Sequence, residues 1–247
     1  IDFCLAIERR QTGLRLVSCG GRCVREPGVP IHAQICNGIA ADTVADLVKH
    51  MQEAVDIPDT VKHRIGIDDF DSYEFMADFV QIVAAGGCTR FIVHARTAWL
   101  QGLSPKQNRE IPPLRYEDVY RLKQDFPALD IEINGGIETI TDIEAHLEHI
   151  DGVMIGRAFY HNPYLLAEAN SLWGTPVPKR SDILAQLYPY LEEQIAKGET
   201  LPTMTRHYLG LFQGLMGALK WRQALSGKPH LTIDDIKHSA TEVLTLN

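Results

Sequence analysis

The sequence predicts an α/β fold: the C-terminal part of a TIM-type (β/α)8 barrel, followed by a small all-helical domain. Three observations predict it. Strand-like and helix-like patterns alternate four times between residues 40 and 157, with glycine or proline turns between them. The strand-like runs end in polar residues or double glycines, where a parallel barrel carries its chemistry. After Asn162-Pro163 the strand pattern stops and only helical periods remain.

Taken in order, residues 4–36 hold no sustained period and are expected to be irregular. Ser18-Cys-Gly-Gly-Arg-Cys23 has a Cys-x3-Cys spacing with no matching second pair, so no metal site is expected there. Ala40, Val44, Leu47, Val48 and Met51 fall at helical spacing and predict a helix over 41–54. Thr60 to Gly66 reads as a strand. Asp71-x-x-Glu74 reads as a capping box opening a helix with Phe75, Phe79, Ile82 and Val83, stopped by Gly86-Gly87. Phe91 to Val93 is an apolar run suited to a buried strand, and it delivers His94 and Arg96 where that strand ends. A long loop follows, closed by Pro112-Pro113 and carrying Trp99, Lys106, Asn108 and Arg109.

Tyr116 to Lys123 predicts the next helix, and Ile131 to Asn134 the next strand, before Gly135-Gly136. Thr141-x-x-Glu144 reads as a second capping box, with Ile143, Leu147 and Ile150 facing inward. Gly152 to Ile155 closes the series as a strand before Gly156-Arg157. Ser181 is then placed as the cap of a helix with Leu184, Leu187, Leu191 and Ile195 inward, ended by Gly198. Further helices are expected from Thr205 to Leu215 and from Ile233 to Leu244. The expected domains are 1–174 and 175–247, joined by the proline-containing segment 175–180.

Composition sets bounds on function. The 247 residues are 45% hydrophobic and 23% charged, ordinary for a globular chain. No apolar run approaches the roughly 18 residues of a membrane span, and no signal-peptide pattern is visible. Five irregularly spaced cysteines favour a reduced, cytoplasmic protein over a disulfide scaffold. The net charge of −8 means that a nucleic-acid partner would need a local basic patch. The chain opens Ile1-Asp2-Phe3, as if already inside a strand, and is expected to be a fragment lacking three or four barrel strands.

Several residues point to an anionic ligand. Glycines at Gly135-Gly136 and Gly156, with Arg157, let backbone N–H groups approach a phosphate at two successive strand ends. Lys62 lies near the end of a strand whose other positions are expected to be mostly buried, where an anionic partner would account for it. Arg206, His207, Lys220, Arg222, Lys228 and His230 are interleaved with Tyr208 and Trp221, a mixture suited to phosphate contacts and base stacking, or to a solvated helix face.

These stretches together resemble the tRNA-dihydrouridine synthase family, and most closely its A subfamily. The resemblance rests on Thr60-Val-Lys-His-Arg-Ile-Gly-Ile-Asp-Asp69, Val93-His-Ala-Arg-Thr-Ala-Trp-Leu-Gln-Gly-Leu-Ser-Pro-Lys-Gln-Asn-Arg-Glu-Ile-Pro-Pro113, Ile133-Asn-Gly-Gly136, Asp151-Gly-Val-Met-Ile-Gly-Arg157 and Arg206-His-Tyr-Leu-Gly-Leu-Phe-Gln-Gly214. It implies an FMN-dependent barrel enzyme that uses NADPH to reduce a flipped-out uridine of the tRNA D-loop to 5,6-dihydrouridine. A cysteine would give the proton to C5. By motif, Lys62, His94, Asn134, Gly135, Gly136, Gly156 and Arg157 would contact FMN. Arg96, Lys106, Asn108, Arg109, Arg206 and Lys220 would lie along the tRNA, the last two from the helical domain. Counting back without gaps from Ala45 to Met51 puts the family's catalytic cysteine on Cys36, although Gln34-Ile-Cys-Asn-Gly38 differs from the family's turn. Two other readings stand beside this one: another FMN barrel oxidoreductase acting on a small pyrimidine, and an inactive remnant.

Overall fold

A computed structural model describes residues 5–10, 13–18, 41–54, 58–226 and 230–247. Cys36 lies outside the described residues. The chain divides into two compact units, Ile1–Ile155 and Gly156–Asn247.

The first unit holds β1 (Leu5–Arg10), β2 (Gly13–Ser18), α1 (Ala41–Ala54), β3 (Val61–Arg64), α2 (Tyr73–Ala85), β4 (Arg90–His94), α3 (Tyr116–Asp125), β5 (Asp130–Asn134), α4 (Ile140–Leu147) and β6 (Gly152–Ile155). The strands form one sheet in the order β2-β1-β6-β5-β4-β3. β3, β4, β5 and β6 run parallel, each joined to the next through a helix, as the alternating pattern predicts. β1 is antiparallel to both β2 and β6. This hairpin differs from the irregular structure expected over residues 4–36. Its pairing runs from Leu5↔Ser18 to Arg10↔Gly13, so two residues connect the strands. A strand held on both edges by pairing partners needs no sequence period of its own, and the β6 edge supplies one of them.

Strand register decides which side chains share a face. Lys62, Ile92, Glu132 and Gly152 stand in one row across β3 to β6, and Arg64, His94, Asn134 and Met154 in the next. The opposite face carries Val61, His63, Phe91, Val93, Ile131, Ile133, Val153 and Ile155, all buried. There His63 packs 5.0 Å from the Phe79 ring of α2 and 6.1 Å from Phe91, centroid to centroid. It is a core histidine.

Two caps differ from the expected residues. The cap of α2 is Ser72, whose hydroxyl accepts from Phe75 N, in place of the Asp71 box. The capping box of α4 is Thr139 with Asp142, two residues before the expected Thr141-Glu144 pair. Both are short-range choices between neighbouring oxygen-bearing side chains, settled by which one has extended backbone next to the first turn. Ile143, Leu147 and Ile150 are buried as expected, while Ile82 of α2 is 36% exposed.

The second unit contains α5 (Arg157–His161), α6 (Tyr164–Glu168), α7 (Arg180–Ala196), α8 (Leu201–Thr205), α9 (Ala218–Ser226) and α10 (Ile233–Thr245). It begins earlier than residue 175 because Tyr164 belongs to its interior. The Tyr164 ring packs against the helical core and under the Arg180 guanidinium, and its hydroxyl donates to Pro178 O at 3.0 Å. The helix expected from Thr205 to Leu215 is replaced by successive turns bonded at three-residue spacing, such as Leu211 N to Tyr208 O and Leu215 N to Phe212 O. Gly210, Gly214 and Gly217 interrupt any continuous helix there. Ser181 sits inside α7, where its hydroxyl faces Asp182, and Lys179 occupies the cap position. Trp221 is fully buried, edge-on to Phe212, with its indole N–H on Tyr208 O at 3.2 Å. It is therefore core, unavailable for the base stacking considered for it. Among the described residues, no helix is long and apolar enough to cross a membrane.

Candidate cofactor site at the strand ends

The C-terminal ends of β3, β4 and β5 bring Lys62, Arg64, His94 and Asn134 onto one face of the sheet. Asn134 organises the set. Its Nδ2 donates to Met154 O at 2.8 Å, so its Oδ1 is left to accept. That oxygen lies 2.9 Å from His94 Nδ1, which must then carry the ring proton. His94 Nε2 consequently presents a lone pair, and it is buried with no partner among the described residues. Burial first, and then the charges of Lys62 and Arg64, hold the His94 pKa down at about 3, against the opposing hydrogen bond to Asn134. His94 is neutral at physiological pH. It can accept a hydrogen bond from a ligand N–H or O–H, and it is no cation for a phosphate.

The Gly135-Gly136 turn lies against this ring. Both glycines have positive φ, +116° and +71°. A Cβ on Gly135 would stand 3.3 Å from His94 Nε2, and one on Gly136 would stand 2.6 Å from Leu114 Cδ1 and 2.9 Å from Tyr116 Oη. Any side chain would close the space. Tyr116 donates its hydroxyl to Gly135 O at 2.8 Å. Because N–H and C=O of a trans peptide point in opposite directions, this bond turns the Gly136 N–H away from Tyr116. Tyr116 is in turn fixed by edge contact with His146 at 4.5 Å, and His146 by the Tyr120 hydroxyl at 2.7 Å. Tyr116→Phe keeps the ring and removes the bond, so it should weaken binding of a phosphate-bearing ligand by about three- to tenfold. Titration with a phosphate-bearing ligand and with its dephosphorylated form checks this: the loss should be confined to the phosphorylated one.

The other expected residues fall into separate places. Lys106 and Arg109 are exposed on and beside a short 3-10 turn, Gln107–Arg109, in the loop after β4. Asn108 is turned inward: its Oδ1 accepts from Trp99 N at 3.0 Å and its Nδ2 donates to Trp99 O. Arg96 donates to Pro112 O, closing the far end of the same loop. Gly156 and Arg157 open the second unit, directly after β6. Arg206 and Lys220 are exposed in that unit. Cys88 lies apart from this group. It is fully buried just before β4, at the opposite end of that strand from His94, and burial pushes its thiol up to about 11.

Sequence reasoning missed Arg64 and Tyr116. Arg64 had a signal: it stands two residues after Lys62, hence on the same face of the strand. Its Nη1 donates to Thr97 O at 3.0 Å and Asn108 O at 2.9 Å. Nothing local marks Tyr116, whose partner is nineteen residues away.

The dihydrouridine synthase (Dus) family profile matches residues 39–241. A tRNA-dihydrouridine(20/20a) synthase of Vibrio parahaemolyticus is 58% identical over 191 residues, 76% of this chain and 59% of that protein. The protein of that name from Synechocystis is 57% identical over 188 residues, 75% of this chain and 56% of the other. The one from Escherichia coli O6:H1 is 52% identical over 200 residues, 79% and 60% of the two chains. The matched part thus spans 56–60% of the length of these curated relatives. On the family profile and these identities, the chain belongs to the dihydrouridine synthase family.

Proposed function

We propose that this chain is the larger part of an FMN-dependent tRNA-dihydrouridine synthase, which reduces D-loop uridine to 5,6-dihydrouridine with NADPH in the cytoplasm. The observation that carries the reading is the neutral His94, whose buried Nε2 has no partner among the described residues, beside a glycine turn that admits no side chain. In this reading the parallel strands are half of a barrel, and the helical segment over 175–247 helps to hold tRNA.

The residues suit FMN. Phosphate needs N–H donors, which the Gly135-Gly136 turn provides on a rigid backbone. Gly156 and Arg157 are proposed as cofactor contacts from their motif. Ribityl hydroxyls and ring N–H groups need an acceptor such as His94 Nε2. When bound, FMN supplies a two-electron carrier between NADPH and the C5–C6 bond of uridine. Lys62 is proposed to offset negative charge on the pyrimidine end of the cofactor. Cys36 is the proposed proton donor to C5, and a thiol with an ordinary pKa of about 8.5 holds that proton at neutral pH. Lys106, Arg109, Arg206 and Lys220 are the proposed phosphate contacts on tRNA. Arg96 and Asn108 shape the loop that carries the first two.

Titrating the purified chain with FMN tests the proposal. Near-stoichiometric flavin absorbance is expected, and Lys62→Ala should bind FMN roughly ten- to a hundredfold more weakly, the worth of a charge-assisted hydrogen bond. A chain that retains no flavin once excess FMN is removed would be the non-catalytic remnant instead.

A further inference from the structure

Beyond β3 the chain runs Arg64-Ile-Gly-Ile-Asp-Asp-Phe-Asp71. Ile67 and Phe70 exchange backbone hydrogen bonds of 3.0 and 2.8 Å, closing a tight turn. Gly66 permits it, since a Cβ there would stand 2.2 Å from Phe70 O. Inside this turn Asp68 has φ +46°, the only positive φ outside glycine among the described residues. An L-residue avoids this conformation unless its surroundings enforce it. Besides the turn's own bonds, three more hold it, and these reach into the loop after β4. Asp68 N donates to Ala98 O at 2.8 Å, and Ala98 N donates to Gly66 O at 2.9 Å. The Asp68 carboxylate accepts from Leu100 N at 2.8 Å.

These bonds continue along the loop. Ala98 and Leu100 flank Trp99, which Asn108 clamps through both its backbone groups. Asn108 lies between Lys106 and Arg109, and its carbonyl is held by Arg64. The turn after β3 therefore sets the position of two exposed cations on a loop that has little secondary structure of its own. Preorganised charges lose less on binding a polyanion than charges on a wandering loop.

We propose that Asp68 is a positioning residue: its left-handed backbone and its carboxylate lock the loop from Thr97 to Arg109, so that Lys106 and Arg109 face a phosphate backbone in fixed register. The phosphate backbone rests on the functional reading above; the locking does not.

Two substitutions separate locking from general stability. Asp68→Gly accepts the same φ freely but loses the acceptor for Leu100 N–H. Asp68→Asn keeps an acceptor oxygen and tolerates the left-handed region. Hydrogen exchange on the purified chain should show Ala98 to Leu100 exchanging about five- to tenfold faster in Asp68→Gly, with β4 and β5 unchanged, and near wild type in Asp68→Asn. Binding of bulk tRNA across a salt series should weaken for Asp68→Gly and hold for Asp68→Asn. The log–log salt slope should flatten by about one for each phosphate that is no longer neutralised. Unchanged loop exchange in Asp68→Gly overturns the proposal. So does faster exchange with tRNA affinity and slope intact. If the unaltered chain binds no tRNA while the exchange pattern is as expected, the locking role stands and the functional reading falls.

Discussion

Lowering the pH from 7 to 5 should cost this fold about 4 kcal/mol, through two buried histidines at about 1.4 kcal/mol per pH unit each. Unfolded, each imidazole takes a proton below about 6.5. Folded, His63 resists until about 4, chiefly because it is buried, and His94 until about 3. Between those limits the unfolded chain binds the extra protons, so stability rises with pH. The full contribution is present above the unfolded value and is lost as pH falls. Burial shifts His146 in the same direction. Urea unfolding at pH 7 and pH 5 measures the effect, and His63→Leu should remove about half of it. A midpoint that does not move between the two pH values would show that these rings titrate normally in the folded chain.

Asn134→Leu should destabilise the first unit by roughly 2–6 kcal/mol, because two groups lose their partners at about 1–3 kcal/mol each. One is the Met154 carbonyl of β6 and the other is the His94 ring N–H. The same change frees the tautomer of His94, so the lone pair would no longer be fixed at Nε2. Asn134→Asp separates the two effects. An aspartate still accepts from His94 but cannot donate to Met154, and its negative charge should raise the His94 pKa from about 3 toward the neutral range. Unfolding curves read the first variant, and the imidazole resonances of a pH titration read the second. A leucine variant as stable as the parent would mean that solvent already serves both groups.

Short-range patterns were enough for the elements themselves. Period-3.6 apolar spacing in Ala41–Ala54, the apolar run before His94 and the double glycine after Asn134 each state a local preference that packing does not reverse. The candidate site was legible for a similar reason. A parallel sheet delivers residues at strand ends to one rim, so Lys62, His94 and Asn134 could be grouped from their positions alone. The misplaced caps at Ser72 and Thr139 lie one or two residues from those expected, because several oxygen-bearing side chains in a row offer equivalent local bonds.

Roles within the site depended on tertiary structure. That Asn134 fixes the His94 tautomer follows from strand register across β4, β5 and β6, and no single segment contains that information. Asn108 carries a polar side chain in a basic loop, where it reads as a ligand group, yet its amide closes on Trp99, whose half-buried backbone groups need a partner. Trp221 reads as a possible stacking surface from its basic neighbours, but the helical core needed a large apolar side chain at that position. By itself, the sequence determined which residues reach the strand ends. Only the tertiary structure decided which of them are tied up in holding one another in place, since hydrogen-bond partners far apart in the chain are chosen by three-dimensional proximity.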